Sequence, residues 1–298
     1  MKMTSSSSIS IIFNPNSTGD SKAGATELEK QLKKALPATK IELIPTKYAG
    51  HAEELAYSLS MSRKKPLIIS ASGDGGYNEV VNGVMRAGKK TNTPVCAVLP
   101  TGNANDHSRT MHEEPLWQLI QKGIVTKLDI LKVTIKQPSK AQVVRYAHSY
   151  VGLGLTPVVA AELNRHTLNA FREMALVLKT FFKYRPFKIR RNNKTITLDS
   201  LIFTNINQMA KILTLAEKNK PDDGKFEIVT FPHGHKLLLV RTLLKAATIG
   251  LKTSKRANNY QFEVIKKMPM QLDGEVTVLP AGTKVRVGVA GKALSTYV

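Results

Sequence analysis

The sequence predicts two domains, a doubly wound α/β domain followed by an antiparallel β-sandwich domain. Up to about residue 130, apolar runs typical of buried parallel strands alternate with amphipathic helical segments. From Leu128 onward, short runs of alternating polarity follow one another between turn signals, which is typical of antiparallel sheets. We place the boundary near Gln137-Pro138-Ser139 and assign residues 1–134 and 135–298 to the two domains.

The first domain consists of repeated strand, turn and helix units. The predicted strands are Ile9–Phe13, Ile41–Ile44, Leu67–Ile69 and Thr93–Leu99. The predicted helices are Ala23–Leu36, Ala52–Ser60 and one that follows the glycines near residue 75, and each has apolar residues at helical spacing. His51 is expected to be a polar residue at a helix start, and Asn78 is expected to cap the third helix.

A turn of small residues, Ser70 to Gly76, follows the third predicted strand. A glycine-rich turn between a strand and a helix presents free backbone N–H groups and attracts phosphate. The turn fits neither the dinucleotide-binding fingerprint nor the P-loop. Asp74 in its centre favours a site for Mg²⁺ and a nucleoside triphosphate. The residues alone leave a second interpretation open, a tight βα turn with Asp74 as its turn former.

The fourth predicted strand ends in a similar turn, Pro100 to Ala104, which is followed by Asn105 and Asp106. Both turns are predicted at the carboxyl ends of parallel strands, where open α/β sheets bind their ligands. The second turn therefore strengthens the prediction of a ligand site in the first domain.

The composition restricts the partners. A net charge of +22 and a pI near 10.0 indicate a surface that attracts polyanions such as nucleic acid, anionic lipid or a phosphorylated ligand. The single cysteine, Cys96, lies in an apolar run, and this fits a reducing interior. The N-terminus lacks the apolar core of a secretion signal, and no stretch has the roughly 18 apolar residues of a spanning helix. We therefore expect a soluble protein of the cytoplasm.

The second half contains two predicted helical insertions, Val158–Phe182 and His235–Ile249, and a basic aromatic segment, residues 179–194. Its carboxylates are few, so those in turns are informative. Asp222-Asp223-Gly224 and Asp273-Gly274-Glu275 read first as turns, because Asp-Gly is a preferred hairpin sequence. Asp273 and Glu275 are expected to project to the same side, as a base and its partner.

Together these motifs resemble the diacylglycerol kinase catalytic family, which includes sphingosine kinases and soluble bacterial lipid kinases. Ser72-Gly73-Asp74-Gly75 with Asn78–Gly83 resembles its GGDGTxNEVVNG segment. Asn14–Gly19 resembles the opening NPxSG, and Leu99–Asp106 resembles LPxGTxND. The motifs around Asp129, Gly152–Gly154, Asp223 and Asp273 follow in the order of the family, so the resemblance covers nearly the whole chain.

The resemblance implies ATP and Mg²⁺ as cofactors, in a cleft between the domains. The implied ATP contacts are Asn14, Ser17, Thr46, Gly73, Asp74, Gly75, Gly76, Glu79, Thr101, Gly102 and Asn103. The implied ligands of the catalytic Mg²⁺ are Asp74, Asp106 and Asp129, and those of a second, structural Mg²⁺ are Asp223 and the backbone of Lys220 and Lys225. Asp273 is implied to be the general base, with Glu275 beside it.

Some positions depart from the pattern of the family. Gly76 and Asn103 replace threonines of the two phosphate-contacting turns, and His107 replaces a phenylalanine. The glycine pair expected after Asn205 is replaced by Met209–Ile212. The changes at Gly76 and Asn103 lie in the nucleotide turns. The changes at His107 and Met209–Ile212 lie at positions that are nearer the lipid substrate in the family.

The predicted function is phosphate transfer from ATP to a lipid hydroxyl at an anionic membrane surface, on the inner face of the membrane. A kinase of a soluble substrate, like NAD kinase, is one alternative, and a non-catalytic binder of nucleotide and anionic surface is another. Nucleic acid is not an expected partner, because no known binding motif accompanies the charge. The identity of the lipid and the formation of a homodimer are left open.

Overall fold

The computed structural model describes residues 8–17, 19–88, 94–154, 186–209, 213–214, 221–234 and 255–298. The chain forms two compact units, the first made of Met1–Leu128 with Lys292–Val298 and the second of Asp129–Gly291. The predicted helical insertions, residues 179–185 of the basic aromatic segment, residues 210–212 and Lys220 lie outside the described residues.

The first unit has the predicted alternation of strands and helices. Its elements are β1 (Ile9–Phe13), α1 (Ser21–Ala35), β2 (Ile41–Pro45), α2 (His51–Ser62), β3 (Leu67–Ser72), α3 (Asp74–Ala87), β4 (Val95–Pro100), α4 (Asp106–Met111) and α5 (Leu116–Lys122). The four strands are parallel neighbours in the order β2-β1-β3-β4. This order confirms the predicted α/β fold of the first half.

The core of the first unit forms around β1 and β3, because nearly all of their residues are buried, whereas the residues of the edge strand β2 are partly exposed. Ile9, Ile11 and Phe13 of β1 pack in one cluster with Leu28 and Leu32 of α1 and with three apolar residues of α5. The predicted leucine stripe of α1 is thus the face that covers the sheet.

Helices α2 and α3 contact each other closely at Gly83. A Cβ atom at residue 83 would lie 2.2 Å from the carbonyl oxygen of Glu53 and 2.8 Å from the Cβ of Ala56. Gly83, the last residue of the Asn-Glu-Val-Val-Asn-Gly motif, is therefore explained by helix packing.

Two details at helix starts were predicted with different success. His51 is the first residue of α2, as expected. The prediction that Asn78 caps α3 is wrong, because α3 begins at Asp74 with Gly73 as its N-cap residue. The helix starts inside the glycine turn, so Asn78 lies within the helix, where its side chain accepts a hydrogen bond from Asn82 Nδ2 at 3.0 Å.

The second unit is built from antiparallel strands. They are β5 (Thr126–Lys136), β6 (Val143–Ala147), β7 (Tyr150–Gly154), β8 (Phe187–Arg191), β9 (Lys194–Thr204), β10 (Gln208–Met209), β11 (Leu213–Thr214), β12 (Phe226–Pro232), β13 (Lys255–Ala257), β14 (Asn259–Val264), β15 (Met268–Leu272), β16 (Glu275–Leu279) and β17 (Lys284–Thr296). Neighbouring strands follow the order β16-β15-β7-β9-β8-β14-β17, and β12 pairs with β9 and β13. The predicted antiparallel β domain is confirmed.

The ends of the second unit differ from the predicted boundaries. The predicted boundary after residue 134 falls inside β5, because Gln137-Pro138-Ser139 forms the turn between β5 and β6, an antiparallel pair. The last residues of the chain belong to the first unit, where Thr296 at the end of β17 pairs in parallel with Cys96 of β4. The connection expected between domains is thus a hairpin turn within the second unit.

In the part of the chain that the structure describes, every helix is too short or too polar to cross a membrane.

Candidate active site

Four turns of the first unit lie at one edge of its parallel sheet. Phe13 at the end of β1 is in register with Pro45 of β2 and Ala71 of β3, and Ser72 is in register with Pro100 of β4. The residues that follow these strand ends include Asn14, Thr46, Gly73 and Thr101, all predicted to bind nucleotide. The structure therefore brings this predicted set to the edge where α/β sheets bind ligands.

The turns after β1, β3 and β4 touch through their glycines. A Cβ atom on Gly102 would lie 2.4 Å from the Cα of Gly73, and one on Gly19 would lie 2.1 Å from the carbonyl oxygen of Thr101. Real Cβ atoms do not approach other atoms this closely, so any side chain would force the turns apart. The glycines of the three motifs are thus required by the packing of one turn against the next.

Asp74 connects the two predicted phosphate turns. Its Oδ2 accepts a hydrogen bond from the backbone N–H of Asp106 at 2.9 Å, and its Oδ1 accepts one from His107 at 3.1 Å. Asp74 and Asp106 are both buried. The carboxylate therefore fixes the start of α4 against the glycine turn, and it brings two of the three predicted Mg²⁺ ligands together.

The chemistry of this edge fits a magnesium nucleotide. Buried carboxylates and hydroxyl groups supply the oxygen ligands that Mg²⁺ prefers, and Mg²⁺ in kinases usually takes one or two carboxylates together with phosphates and water. The Oγ1 atom of Thr101 is buried and has no hydrogen-bond partner among the described residues. A buried hydroxyl without a partner costs free energy, which a phosphate oxygen would recover. Within the same residues, no three His, Cys, Asp or Glu side chains form a metal cluster.

Glu79 and the β1 turn have structural contacts that the sequence did not suggest. The carboxylate of Glu79 accepts hydrogen bonds from the N–H groups of Gly50 at 2.9 Å and Ala52 at 3.2 Å, so it caps α2. Asn14 Oδ1 accepts a bond from the N–H of Asn16 at 2.9 Å, and Ser17 Oγ donates one to the Gly19 carbonyl at 2.9 Å. The contacts of these residues with a nucleotide stay predictions.

The departure at Gly76 has a structural explanation. A Cβ atom at residue 76 would lie 2.7 Å from both the Cβ and the Oγ of Ser72. The Ser72 hydroxyl also lies 2.7 Å from the Ser70 hydroxyl. The serine of this turn thus fills space beside residue 76, and the two positions depend on each other. Asn103, which replaces the threonine of the second phosphate turn, is exposed.

The second unit holds Asp273 in a two-residue turn between β15 and β16. Asp273 and Gly274 have φ angles of +46° and +100°, and Leu272 pairs with Glu275. Positive φ at both positions is the geometry of a type I′ hairpin, so the turn interpretation of Asp-Gly is confirmed.

Asp273 is fully buried, with 0% of its surface exposed. Its Oδ1 accepts hydrogen bonds from the N–H groups of Ser149 at 3.0 Å and Tyr150 at 2.8 Å, and its Oδ2 accepts one from His148 at 2.6 Å. Glu275, in contrast, is exposed. The two carboxylates do not share a surface as expected, because Asp273 lies in the turn, where the alternation of a strand does not apply.

A buried histidine next to Asp273 was missed by the sequence analysis. The Nε2 atom of His148 lies 3.3 Å from Asp273 Oδ2, and its Nδ1 lies 2.7 Å from the hydroxyl of Ser149. His148 and Ser149 are also buried. A hydroxyl, an imidazole and a carboxylate therefore form a continuous line under the β6–β7 turn. No local pattern marks a single His in an apolar run, so only the fold could reveal it.

The third predicted Mg²⁺ ligand, Asp129, belongs to the second unit and fixes the turn at residues 221–224. Its backbone N–H donates to the Pro221 carbonyl at 2.7 Å, and its Oδ2 accepts a bond from the N–H of Gly224 at 2.6 Å. Asn205 Nδ2 donates to the Asp129 carbonyl at 2.6 Å. Asp223 in this turn is bound to Arg256, a residue that the sequence analysis did not single out.

Comparisons with known proteins find similarity to diacylglycerol kinases. Residues 8–133 match the diacylglycerol kinase catalytic domain. A diacylglycerol kinase of Staphylococcus saprophyticus is 24% identical over 291 residues, which are 89% of this chain and 88% of that protein. One of Staphylococcus aureus is 27% identical over 238 residues, which are 74% of this chain and 69% of that protein.

Solved structures show a similar fold. A crystal structure of a diacylglycerol kinase from Bacillus anthracis has a TM-score of 0.72 and 19% identity, covering 99% of this chain and 98% of that chain. Yeast NADH kinase complexed with NADH has a TM-score of 0.54 and 10% identity, covering 98% of this chain and 83% of that chain. These structures confirm the predicted fold class. The predicted family and enzyme class, a lipid kinase, agree with the domain that residues 8–133 match and with the names of the similar proteins.

Proposed function

We propose that the chain transfers the γ-phosphate of ATP to the hydroxyl group of a lipid, such as diacylglycerol or a sphingoid base, because residues 8–133 match the diacylglycerol kinase catalytic domain. The observation that carries the proposal at the level of the site is the Thr101 hydroxyl, which is buried without a partner among the described residues, in a turn packed against Gly19 and next to Gly102. Such a hydroxyl can donate a hydrogen bond to a ligand with acceptor oxygens, and a phosphate has such oxygens.

The nucleotide is proposed to lie at the edge of the parallel sheet in the first unit. Gly73 and Gly102 keep the backbone of two turns close, and Thr101 offers its hydroxyl. Asp74 and Asp106 would hold Mg²⁺ there, and Asp129 is the third proposed ligand. The bound ion would neutralise charge on the phosphates. The protein supplies position and electrostatics, which are the main needs of phosphate transfer.

The lipid hydroxyl is proposed to lose its proton to Asp273. The oxygen of the hydroxyl would then bond to the γ-phosphorus while the bond to ADP breaks. In the structure both oxygens of Asp273 already accept backbone hydrogen bonds, and the His148 ring lies against Oδ2. The base role therefore requires that the His148 ring move away from Oδ2, which would make room for the acceptor hydroxyl.

An anionic membrane surface is the proposed place of the reaction, on the inner face of the cytoplasmic membrane. The net charge of +22 supports this proposal, because juxtamembrane basic groups are attracted to anionic lipids by about 1 kcal/mol each. The charge also gives a purpose to a basic surface that no nucleic-acid motif accompanies.

The test is ADP formation from Mg²⁺ and ATP with three acceptors, namely diacylglycerol, sphingosine and NAD. We expect ADP only with a lipid acceptor, faster on anionic than on neutral vesicles and slower with added salt. If ADP formed with NAD but with neither lipid, the substrate would be a soluble molecule and the proposal of a lipid acceptor would be wrong. ATP binding without ADP formation from any acceptor would make the chain a non-catalytic binder. Equal rates on neutral and anionic vesicles, at low and high salt, would remove the membrane part of the proposal.

A further inference from the structure

The turn at residues 221–225 is hydrogen-bonded to Asp129 and leads into β12. Pro221 and Gly224 are hydrogen-bonded to Asp129, as described above. The family resemblance implies a structural Mg²⁺ at this turn, with Asp223 as its carboxylate ligand. The fit of that ion can be tested on the contacts of Asp223.

Both carboxylate oxygens of Asp223 are already engaged. Oδ1 accepts a hydrogen bond from the backbone N–H of Lys225 at 3.0 Å, which closes an Asx turn. Oδ2 forms an ion pair with Nη2 of Arg256. A divalent ion would have to displace the guanidinium, whose fixed charge and planar donors match carboxylates well. Among the described residues, which do not include Lys220, the donor set therefore does not fit Mg²⁺.

Arg256 is anchored by a second carboxylate, that of Glu227. Its Nε donates to Glu227 Oε1 at 2.9 Å, and the two residues face each other across the antiparallel pair of β12 and β13. Glu227 is only 3% exposed, and its Oε2 has no hydrogen-bond partner among the described residues. A carboxylate this deeply buried needs a positive charge beside it. Arg256 supplies that charge from the neighbouring strand.

We propose that the guanidinium of Arg256 takes the place of a structural divalent cation at the 221–225 turn. One cation of the protein itself bridges Asp223, which shapes the turn, and Glu227, the second residue of the adjoining strand β12. The turn then keeps its shape without added metal, and any need for Mg²⁺ is confined to the nucleotide. This inference stands independently of the proposed kinase activity.

The experiment measures the thermal unfolding midpoint of the full chain without nucleotide, in excess EDTA and in excess MgCl₂. We expect the same midpoint for the wild type in both. Arg256→Met should lower the midpoint by at least about 2–4 °C in EDTA, since it leaves two carboxylates without their cation. MgCl₂ should restore part of that loss, because the freed carboxylates can then bind the ion.

Arg190→Met is the matched control, since it removes an arginine from an exposed ion pair with Glu263 at 3.1 Å in the same unit. Its midpoint should change little and should not respond to MgCl₂. If Arg256→Met does not fold, Asp223→Asn provides the second variant, and its midpoint should fall equally in EDTA and in MgCl₂.

A wild-type midpoint that drops in EDTA and recovers in MgCl₂ would overturn the proposal, because a metal would then hold the turn. An Arg256→Met or Asp223→Asn protein with the wild-type midpoint in EDTA would also overturn it. These experiments measure unfolding midpoints and not kinase activity. Their outcome is therefore independent of whether the proposed function is correct.

Discussion

At the scale of single residues, Thr101 gives the sharpest link between the structure and the proposed chemistry. Its hydroxyl is buried and makes no hydrogen bond with any described residue. The Thr101→Val variant keeps the shape of the side chain and removes the donor. We expect the apparent KM for ATP to rise about tenfold, the loss of a hydrogen bond to a charged group. The unfolding midpoint should not fall.

Thr195→Val is a suitable control, because Thr195 is an exposed residue of β9 in the second unit. It should change neither the KM for ATP nor the midpoint. An unchanged KM for ATP in Thr101→Val would show that the hydroxyl does not contribute to nucleotide binding.

His112 makes the stability of the first unit depend on pH. Burial lowers the pKa of its ring to about 4, against a partial opposing effect of a hydrogen bond with the backbone of Tyr297. Its Nε2 is buried and has no partner among the described residues. Since His112 titrates near 6.5 when unfolded, its contribution is complete above pH 6.5 and is lost as the pH falls towards 4.

The variant His112→Phe should therefore lose less stability than the wild type between pH 7 and pH 5. The measurement is the urea midpoint of both proteins at the two pH values. An equally large fall in both would show that His112 does not carry the effect.

Residue roles were predictable where neighbours in sequence define a motif. Asp74 could be singled out from its glycine turn, and it does connect the two phosphate turns. His148 and Arg256 could not be found, because their partners Asp273 and Asp223 lie far away in the sequence and only strand pairing brings them together.

At the scale of elements, the turn after β3 and the first turn of α3 form one packed unit. Ser72 ends the strand, and residue 76 lies one helical turn later. The 2.7 Å distance between the Ser72 Cβ and a Cβ built at residue 76 makes the two positions mutually exclusive for side chains.

Gly76→Thr alone should therefore destabilise the protein by roughly 1–3 kcal/mol, the usual cost of overpacking. The double variant Ser72→Gly with Gly76→Thr should recover most of that stability and restore the hydroxyl that the family has at this position. Denaturant unfolding of the two single variants and the double variant measures the coupling. If the effects simply add, the two residues are independent.

Helices and strands were predicted well where the spacing of the apolar residues and the turn-forming residues indicate the same ends of an element. Strands β1 to β4 and the starts of their turns follow from apolar runs that end in small residues. The start of α3 was misplaced because Asn78 is a common capping residue, whereas the glycine turn already forms the helix start. The side shared by Asp273 and Glu275 was misjudged because a two-residue hairpin interrupts the alternation of the strand.

At the scale of the whole molecule, the division into an α/β unit and an antiparallel β unit was predictable from the change of pattern near Leu128. The exact ends were not, because β5 runs through the predicted boundary and the end of β17 returns to the first unit. A long strand and a returning terminus have no local signature, since both depend on pairing between distant parts of the chain.

The net charge of +22 is also a property of the whole molecule, because it is the sum over all of its charged residues. This charge is the property of the molecule that supports the proposed reaction at an anionic lipid surface.

The most direct test of the account is the transfer of labelled γ-phosphate from ATP and Mg²⁺ into a total lipid extract, with wild type and Asp273→Asn in parallel. The unfolding midpoint of the variant is recorded alongside, because Asp273 also accepts three backbone hydrogen bonds. We predict a labelled lipid with the wild type and none with a folded Asp273→Asn protein. If the variant still labelled a lipid, the kinase activity would be supported, but Asp273 would not be its general base. A wild type that binds ATP and labels no lipid would contradict the account.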